Sequence, residues 1–192
     1  LSDGAIHAIH GAGAAPAIAP SPGRPGATVT IPGLVDAWSA LVGRHGRLKL
    51  TDDLAAAVRL AADGFRMPAS TVAAVNRQRA RLIEGGADGW ELLSLETGDR
   101  WVQPPLARSL EAVGNDPRAF YEGALAHAIV RAVGDHGGTL TGYDLADHAT
   151  TWPEPIATSW NGGTLVVQPP MSQGVLLAMA ARWMDRHGPG QA

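Results

Sequence analysis

"VVQPPMSQGVLLAMA", residues 166–180, joins two kinds of pattern through a stiff hinge. Val166 and Val167 end a β-branched run that suits a buried strand, and the apolar residues after Gly174 have helical spacing. Between them lie Pro169, Pro170, Met171, Ser172, Gln173 and Gly174. A proline-stiffened strand-to-helix elbow that carries a serine has two readings, a hydrolase nucleophile or a helix cap. A nucleophile elbow needs G-x-S-x-G, where the flanking glycines let a strained turn expose the serine oxygen. Here the order is Pro-Met-Ser-Gln-Gly, with bulky Met171 before the serine. Ser172 is therefore expected to cap the helix, contributing about 1 kcal/mol to its stability.

Outward from the elbow, "PIATSW-NGG-TLVVQ" (155–168) predicts a hairpin on an Asn-Gly turn. Before it, Thr141 with Asp144 resembles a capping box for a short helix, "GYDLADH". Asp116–Pro117 starts a helix expected to run through about Val133, and Pro105 starts another with Leu106, Leu110 and Val113 inward. A polar helix covers about 69–84. Thr51 is the expected N-cap of a helix that stops at Gly64, with Leu54, Val58 and Ala61 on its inner face. A further helix follows Pro32–Gly33, its stripe being Leu34, Ala37, Trp38 and Leu41. Short strands are expected at the start of 4–16 and at "TVTI" (28–31), with prolines 16, 20, 22 and 25 excluding helix between them. The order of strand, several helices, hairpin and helix, without βαβ alternation, gives an α+β or mixed α/β class dominated by helices.

The 192 residues suit one domain with a sizeable core. Fifteen basic against eighteen acidic side chains give a formal charge of −3, and no basic stripe is interleaved with aromatics, so no nucleic-acid partner is expected. No cysteine occurs, which excludes disulfides, a thiolate nucleophile and Cys-based zinc sites. No apolar run reaches the length of a membrane span. The chain opens with Leu1 and no basic-then-apolar leader, and is expected to be processed or trimmed; the compartment stays open.

Two apparent sites fail on spacing. "HGAGAAP" (10–16) has the outline of a dinucleotide loop, but Pro16 stands for the third glycine and prolines occupy the place of the required helix. Of seven histidines, His7 and His10 lie three apart on an expected strand and point to opposite faces; His45, His136, His148 and His187 sit at helix ends. No metal and no cofactor is expected.

The ordered set of motifs resembles the large subunit of γ-glutamyltranspeptidases. The matching pieces are Val102-Gln103-Pro104, Leu106-Ala107, Phe120-Tyr121-x-Gly123, Gly137-Gly138-x-Leu140-Thr141, Asp144-Leu145 and Pro169-Pro170-x-Ser172-Gln173-Gly174. Earlier, "VTIPGLVDAW" and "GRLKLTDDLAAAVRLAADGF" match in order. The resemblance implies an αββα N-terminal-nucleophile hydrolase sandwich, of which residues 1–192 form one internal portion: mostly helices, a hairpin and a few strands. It implies self-cleavage of one precursor into two subunits. The threonine that begins the small subunit is then the nucleophile, with its own α-amino group as base. No catalytic residue is expected in this chain, the partner is that small subunit, and the substrate is a small-molecule amide. In the family an arginine before "AP" clamps the substrate's α-carboxylate, a charge-assisted contact. Aligning Ala15-Pro16 with that "AP" puts Ala12 in the arginine's place. Either nearby Arg24 substitutes, or the acyl group is not γ-glutamyl, as in oxamate amidohydrolase-like or acylase-like members. Two alternatives remain: Ser172 as the chain's own nucleophile, and an inactive scaffold of the same fold.

Overall fold

A computed structural model describes residues 4–188. Eight helices are assigned within them: α1 (Leu34–His45), α2 (Leu50–Asp63), α3 (Ala69–Glu84), α4 (Pro104–Asn115), α5 (Ala119–Glu122), α6 (Ala124–Asp135), α7 (Gly142–Ala146) and α8 (Gly174–His187). Four short strands form two antiparallel pairs, β1 (Phe65–Arg66) with β2 (Arg100–Trp101) and β3 (Ile156–Trp160) with β4 (Gly163–Val167).

The predicted hairpin forms, with Ile156 opposite Val167 and Trp160 opposite Gly163. Asn161 (φ 48°) and Gly162 (φ 77°) are the left-handed pair its two-residue turn demands. The capping box also forms: the Thr141 hydroxyl accepts the Asp144 N–H while the Asp144 carboxylate accepts the Thr141 N–H. At the start of α4, Pro104 joins Pro105 in the first turn, where a missing N–H costs nothing.

Other expectations are corrected. The helix expected from Pro117 to Val133 is two helices, because Gly123 is extended (φ −98°, ψ −157°) between α5 and α6. The N-cap of α2 is Lys49, not Thr51; Asp52 reaches back to accept the Lys49 N–H at 3.3 Å. On α1 the buried face carries Val35, with Trp38 and Val42 packed on the core, while Leu34 is 60% exposed and Leu41 is also exposed. A helix apolar on nearly every side gives periodicity nothing to choose between. Its rotation is fixed by the Asp36 N–H, which donates to the buried Tyr121 hydroxyl at 2.9 Å. Leu106 is likewise exposed, while α4 buries Val113 as expected and Ala107 in place of Leu106. Neither early strand forms. Among the described residues, His10 forms an isolated bridge to Thr151, and "TVTI" follows a 3-10 turn over Pro25–Thr28. Prolines 25 and 32 flank "TVTI" and cannot donate to a ladder.

The main core gathers Ile31, Val35, Leu50, Val113, Tyr121, Ala126, Val133, Leu140 and Leu145. Beside it, α8 packs on the β3–β4 hairpin through Ala178 and Ala181.

Candidate functional site

The "HGAGAAP" segment is a loop tied on three sides. His10 and Thr151 exchange N–H···O bonds of 2.9 and 3.0 Å. Ile31 N–H donates to the Ala14 carbonyl at 3.0 Å, and the Gln168 side chain donates to the Ile9 carbonyl at 2.7 Å. The absence of side chains allows this close approach. A Cβ on Gly13 would overlap the Ile31 carbonyl, and one on Gly33 would overlap the Gly11 carbonyl and crowd the His148 ring.

Two cavities open beside the loop, and Ala12 and His10 line both. The larger, about 430 Å³, is walled by small residues, Ile31, two imidazoles (His10 and His148) and two carboxylates (Asp144 and Asp147). The smaller, about 120 Å³, lies against the elbow, between Ile9, Gln168, Pro169, Met171 and Ser172. Among the described residues, no lysine or arginine lines either one. His10 accepts the Ala12 N–H on Nδ1 at 3.2 Å.

Asp144 is held tightly. One oxygen accepts the Ala17 N–H at 3.0 Å and the other accepts the Thr141 N–H and hydroxyl at 2.8 and 2.6 Å. The Thr141 hydroxyl first, then the Ala17 N–H, holds its carboxyl below the ordinary aspartate value. Among the described residues, none makes a hydrogen bond or ion pair with the exposed Asp147 side chain.

Residues without any local signal hold the wall in place. The Tyr121 hydroxyl donates to the Pro32 carbonyl at 2.9 Å and accepts the Asp36 N–H; burial pushes its pKa up. Asp36 accepts the Thr150 N–H at 2.6 Å. Arg118 donates to the carbonyls of Ala146 (2.8 Å) and His148 (3.2 Å) and pairs with Glu122. Asp36 passes in sequence for an ordinary acidic first-turn residue, and its partner lies 114 residues away.

Of the sequence-stated positions, Ala12 sits where the two cavities meet. Arg24 precedes the 3-10 turn and packs its side chain over Gly137; it lines neither cavity. The Ser172 hydroxyl points to the Gln168 and Pro169 carbonyls (3.0 and 3.2 Å) and accepts the Gly174 N–H at 3.1 Å. No histidine or carboxylate among the described residues bonds to it. It stands one residue before the N-cap, Gln173, and ties the elbow to the first turn of α8. An oxygen so engaged, with no base beside it, lacks the arrangement that activates a serine. Met171, in the left-handed region at φ 81°, carries the elbow's backbone strain. His7 lies against the His45 ring, 5.3 Å between centroids, away from His10.

Residues 8–190 match the family model described as gamma-glutamyltranspeptidase. The chain is 34% identical over 155 residues to the glutathione hydrolase-like YwrD proenzyme of Bacillus subtilis, covering 76% of this chain and 29% of that protein. It is 31% identical over 151 residues to a glutathione hydrolase proenzyme of Pseudomonas aeruginosa, covering 77% and 27%. It thus spans less than a third of either relative's length. Helicobacter pylori gamma-glutamyltranspeptidase superposes with a TM-score of 0.82 at 23% identity, over 91% of this chain and 56% of that one. Cephalosporin acylase from Bacillus halodurans superposes with a TM-score of 0.76 at 27% identity, over 88% and 36%. The α+β class, in its N-terminal-nucleophile hydrolase form, is the fold of these structures. The chain belongs to the γ-glutamyltranspeptidase family.

Proposed function

We propose that this chain is part of the large subunit of an amide-cleaving acyl hydrolase or transferase whose nucleophile is the threonine that begins a partner small subunit from the same precursor. The threonine's α-amino group is the base, and a small-molecule amide is the substrate. The glutathione hydrolase proenzymes and the acylase among its relatives support this class of reaction. The division of labour suits the chain's own chemistry, since its one elbow serine is committed to backbone groups. The apolar outer face of α8, with Leu176, Leu177, Met179 and Trp183 exposed, suits burial against the rest of such a precursor.

The acyl group differs from γ-glutamyl. The observation that carries this is Ala12: the cavities it lines contain no cation, and Arg24 packs on Gly137 instead. Losing a charged hydrogen-bond partner costs a carboxylate about 1.5–3 kcal/mol, which is roughly ten- to a hundredfold in affinity. Expression of the complete precursor, followed by N-terminal sequencing of the smaller product, tests the assignment; any first residue other than threonine overturns it. kcat/KM for a γ-glutamyl anilide in the parent, Ala12→Arg and Arg24→Ala forms tests the acyl group. Weak turnover that Ala12→Arg improves is expected. Efficient parent turnover that collapses in Arg24→Ala would show that Arg24 is the clamp.

A further inference from the structure

Met171 is strained and exposed at once. Two non-glycine residues among those described have a positive φ, Asn161 at 48° and Met171 at 81°. Asparagine tolerates that region, and Asn161 stands in the hairpin turn that requires it. Methionine has no such tolerance, so its backbone is held there by what surrounds it. The Ser172 N–H and hydroxyl tie the turn back to the Pro169 and Gln168 carbonyls, and a Cβ on Gly174 would overlap the Gln168 carbonyl. The side chain gains little from the chain's own core, for Met171 is 77% exposed. Glycine would serve this turn with less strain and less exposed apolar surface. Nor does Met171 belong to the outer face of α8, which begins at Gly174. It lines the smaller cavity, together with Ile9, Ala12 and Pro169. That cavity of about 120 Å³ has room for about four groups the size of a water molecule. No carboxylate, lysine or arginine among the described residues lines it; Asp144 and Asp147 belong to the larger cavity. The Gln168 side chain, bonded to the Ile9 carbonyl at 2.7 Å, fixes the spacing of the elbow from the loop.

We infer that the smaller cavity receives a short, uncharged, apolar acyl chain, and that Met171 is a specificity-determining residue that closes over it. The inference rests on the amide-cleaving reading above and names its acyl group. A charged group entering this space would lose water without gaining a charged partner. An apolar chain gains by leaving water, and the flexible methionine thioether adapts to it and hides its own surface in doing so. The strained turn holds that side chain beside Ala12.

Three anilides separate chain length from charge: acetyl, butyryl and glutaryl. With the processed enzyme from the complete precursor, butyryl is expected to have the highest kcat/KM and glutaryl the lowest. The butyryl-to-acetyl ratio should be about tenfold, the worth of two buried methylene groups. Met171→Gly should cut that ratio by about fourfold, the worth of one, with Tm at or above the parent's because the strain is relieved. Met171→Leu keeps an apolar side chain of similar size and should keep most of the preference. Binding of butyramide, followed by saturation-transfer NMR, needs no turnover and should weaken in Met171→Gly. The inference falls if acetyl matches butyryl, if glutaryl exceeds it, if a processed enzyme cuts none of the three, or if Met171→Gly leaves the ratio unchanged. A fall in Tm with an unchanged ratio would make Met171 a packing residue and overturn it equally. A precursor that yields no threonine-initiated chain but binds butyramide through Met171 would overturn the amide-cleaving reading alone; one that does not bind it would overturn both.

Discussion

Around Tyr121 the chain closes on itself, whereas along α8 it does not. Tyr121 is 1% exposed, its hydroxyl both donates and accepts, and Leu145 and Ala126 beside it are equally sealed. On α8 the small residues Ala178 and Ala181 are buried against the hairpin, while Leu176, Leu177, Met179 and Trp183 face outward. The first region satisfies its polar groups and its apolar surface from within. The second satisfies its backbone but leaves a large apolar face, so its stability depends on what covers it. The loop carrying Ala12 bridges the two, bonded to Ile31 on one side and to Gln168 of the elbow on the other.

The sharpest way to break this contrast is at its closed end. Tyr121→Ala should remove about 3–5 kcal/mol of stability, the usual cost of an aromatic cavity. Tyr121→Phe should remove about 1–3 kcal/mol by leaving the Asp36 N–H and the Pro32 carbonyl unsatisfied. Denaturant titration of the processed enzyme measures both. A loss below 1 kcal/mol in each would mean that Tyr121 does not organise this core.

At the open end, Leu176→Ser should cost the assembled enzyme about 1.5–3 kcal/mol, the value of burying a leucine. A thermal shift indistinguishable from that of the parent would show that this face stays in water.

Between the two lies the elbow. Ser172→Ala should cost about 1 kcal/mol, as for a lost cap, and leave turnover near the parent value. Loss of activity by orders of magnitude with unchanged folding would identify a nucleophile instead.

The smallest effect expected concerns acid. Asp144 is held below its ordinary value of 3.8 by Thr141 and Ala17, so the unfolded chain binds its proton more readily than the folded one. Its stabilisation is therefore complete above pH 4 or so and fades as pH falls through the lower, folded value. Asp144→Asn should flatten that part of the stability profile, and an unchanged acid limb would count against it.

How much was legible in the sequence depended on whether the cause was local. The Asn161–Gly162 turn, the Thr141–Asp144 box and the Gly64 stop each depend on residues within a few positions, and all three are present. The N-cap of α8 is Gln173, not Ser172 as expected; the Ser172 hydroxyl accepts the Gly174 N–H from one residue earlier. The rotation of α1 was not legible, since Leu34, Val35, Trp38 and Leu41 compete for one face and Tyr121 decides. The strand expected at 4–10 is not assigned because alternation gives a strand where another lies alongside, and His10 pairs with Thr151 as an isolated bridge.

The candidate site divides the same way. The proposal that Ala12 stands at the position of the family's arginine rests on the sequence alone, as a matter of identity and order. Only the tertiary structure decided what surrounds it: Asp144, Asp147 and His148 from more than a hundred residues away, and Arg24 turned onto Gly137. Local chemistry is written in neighbouring residues. The charge of a cavity is set by which distant segments the core, through Tyr121, Asp36 and Arg118, brings to its wall.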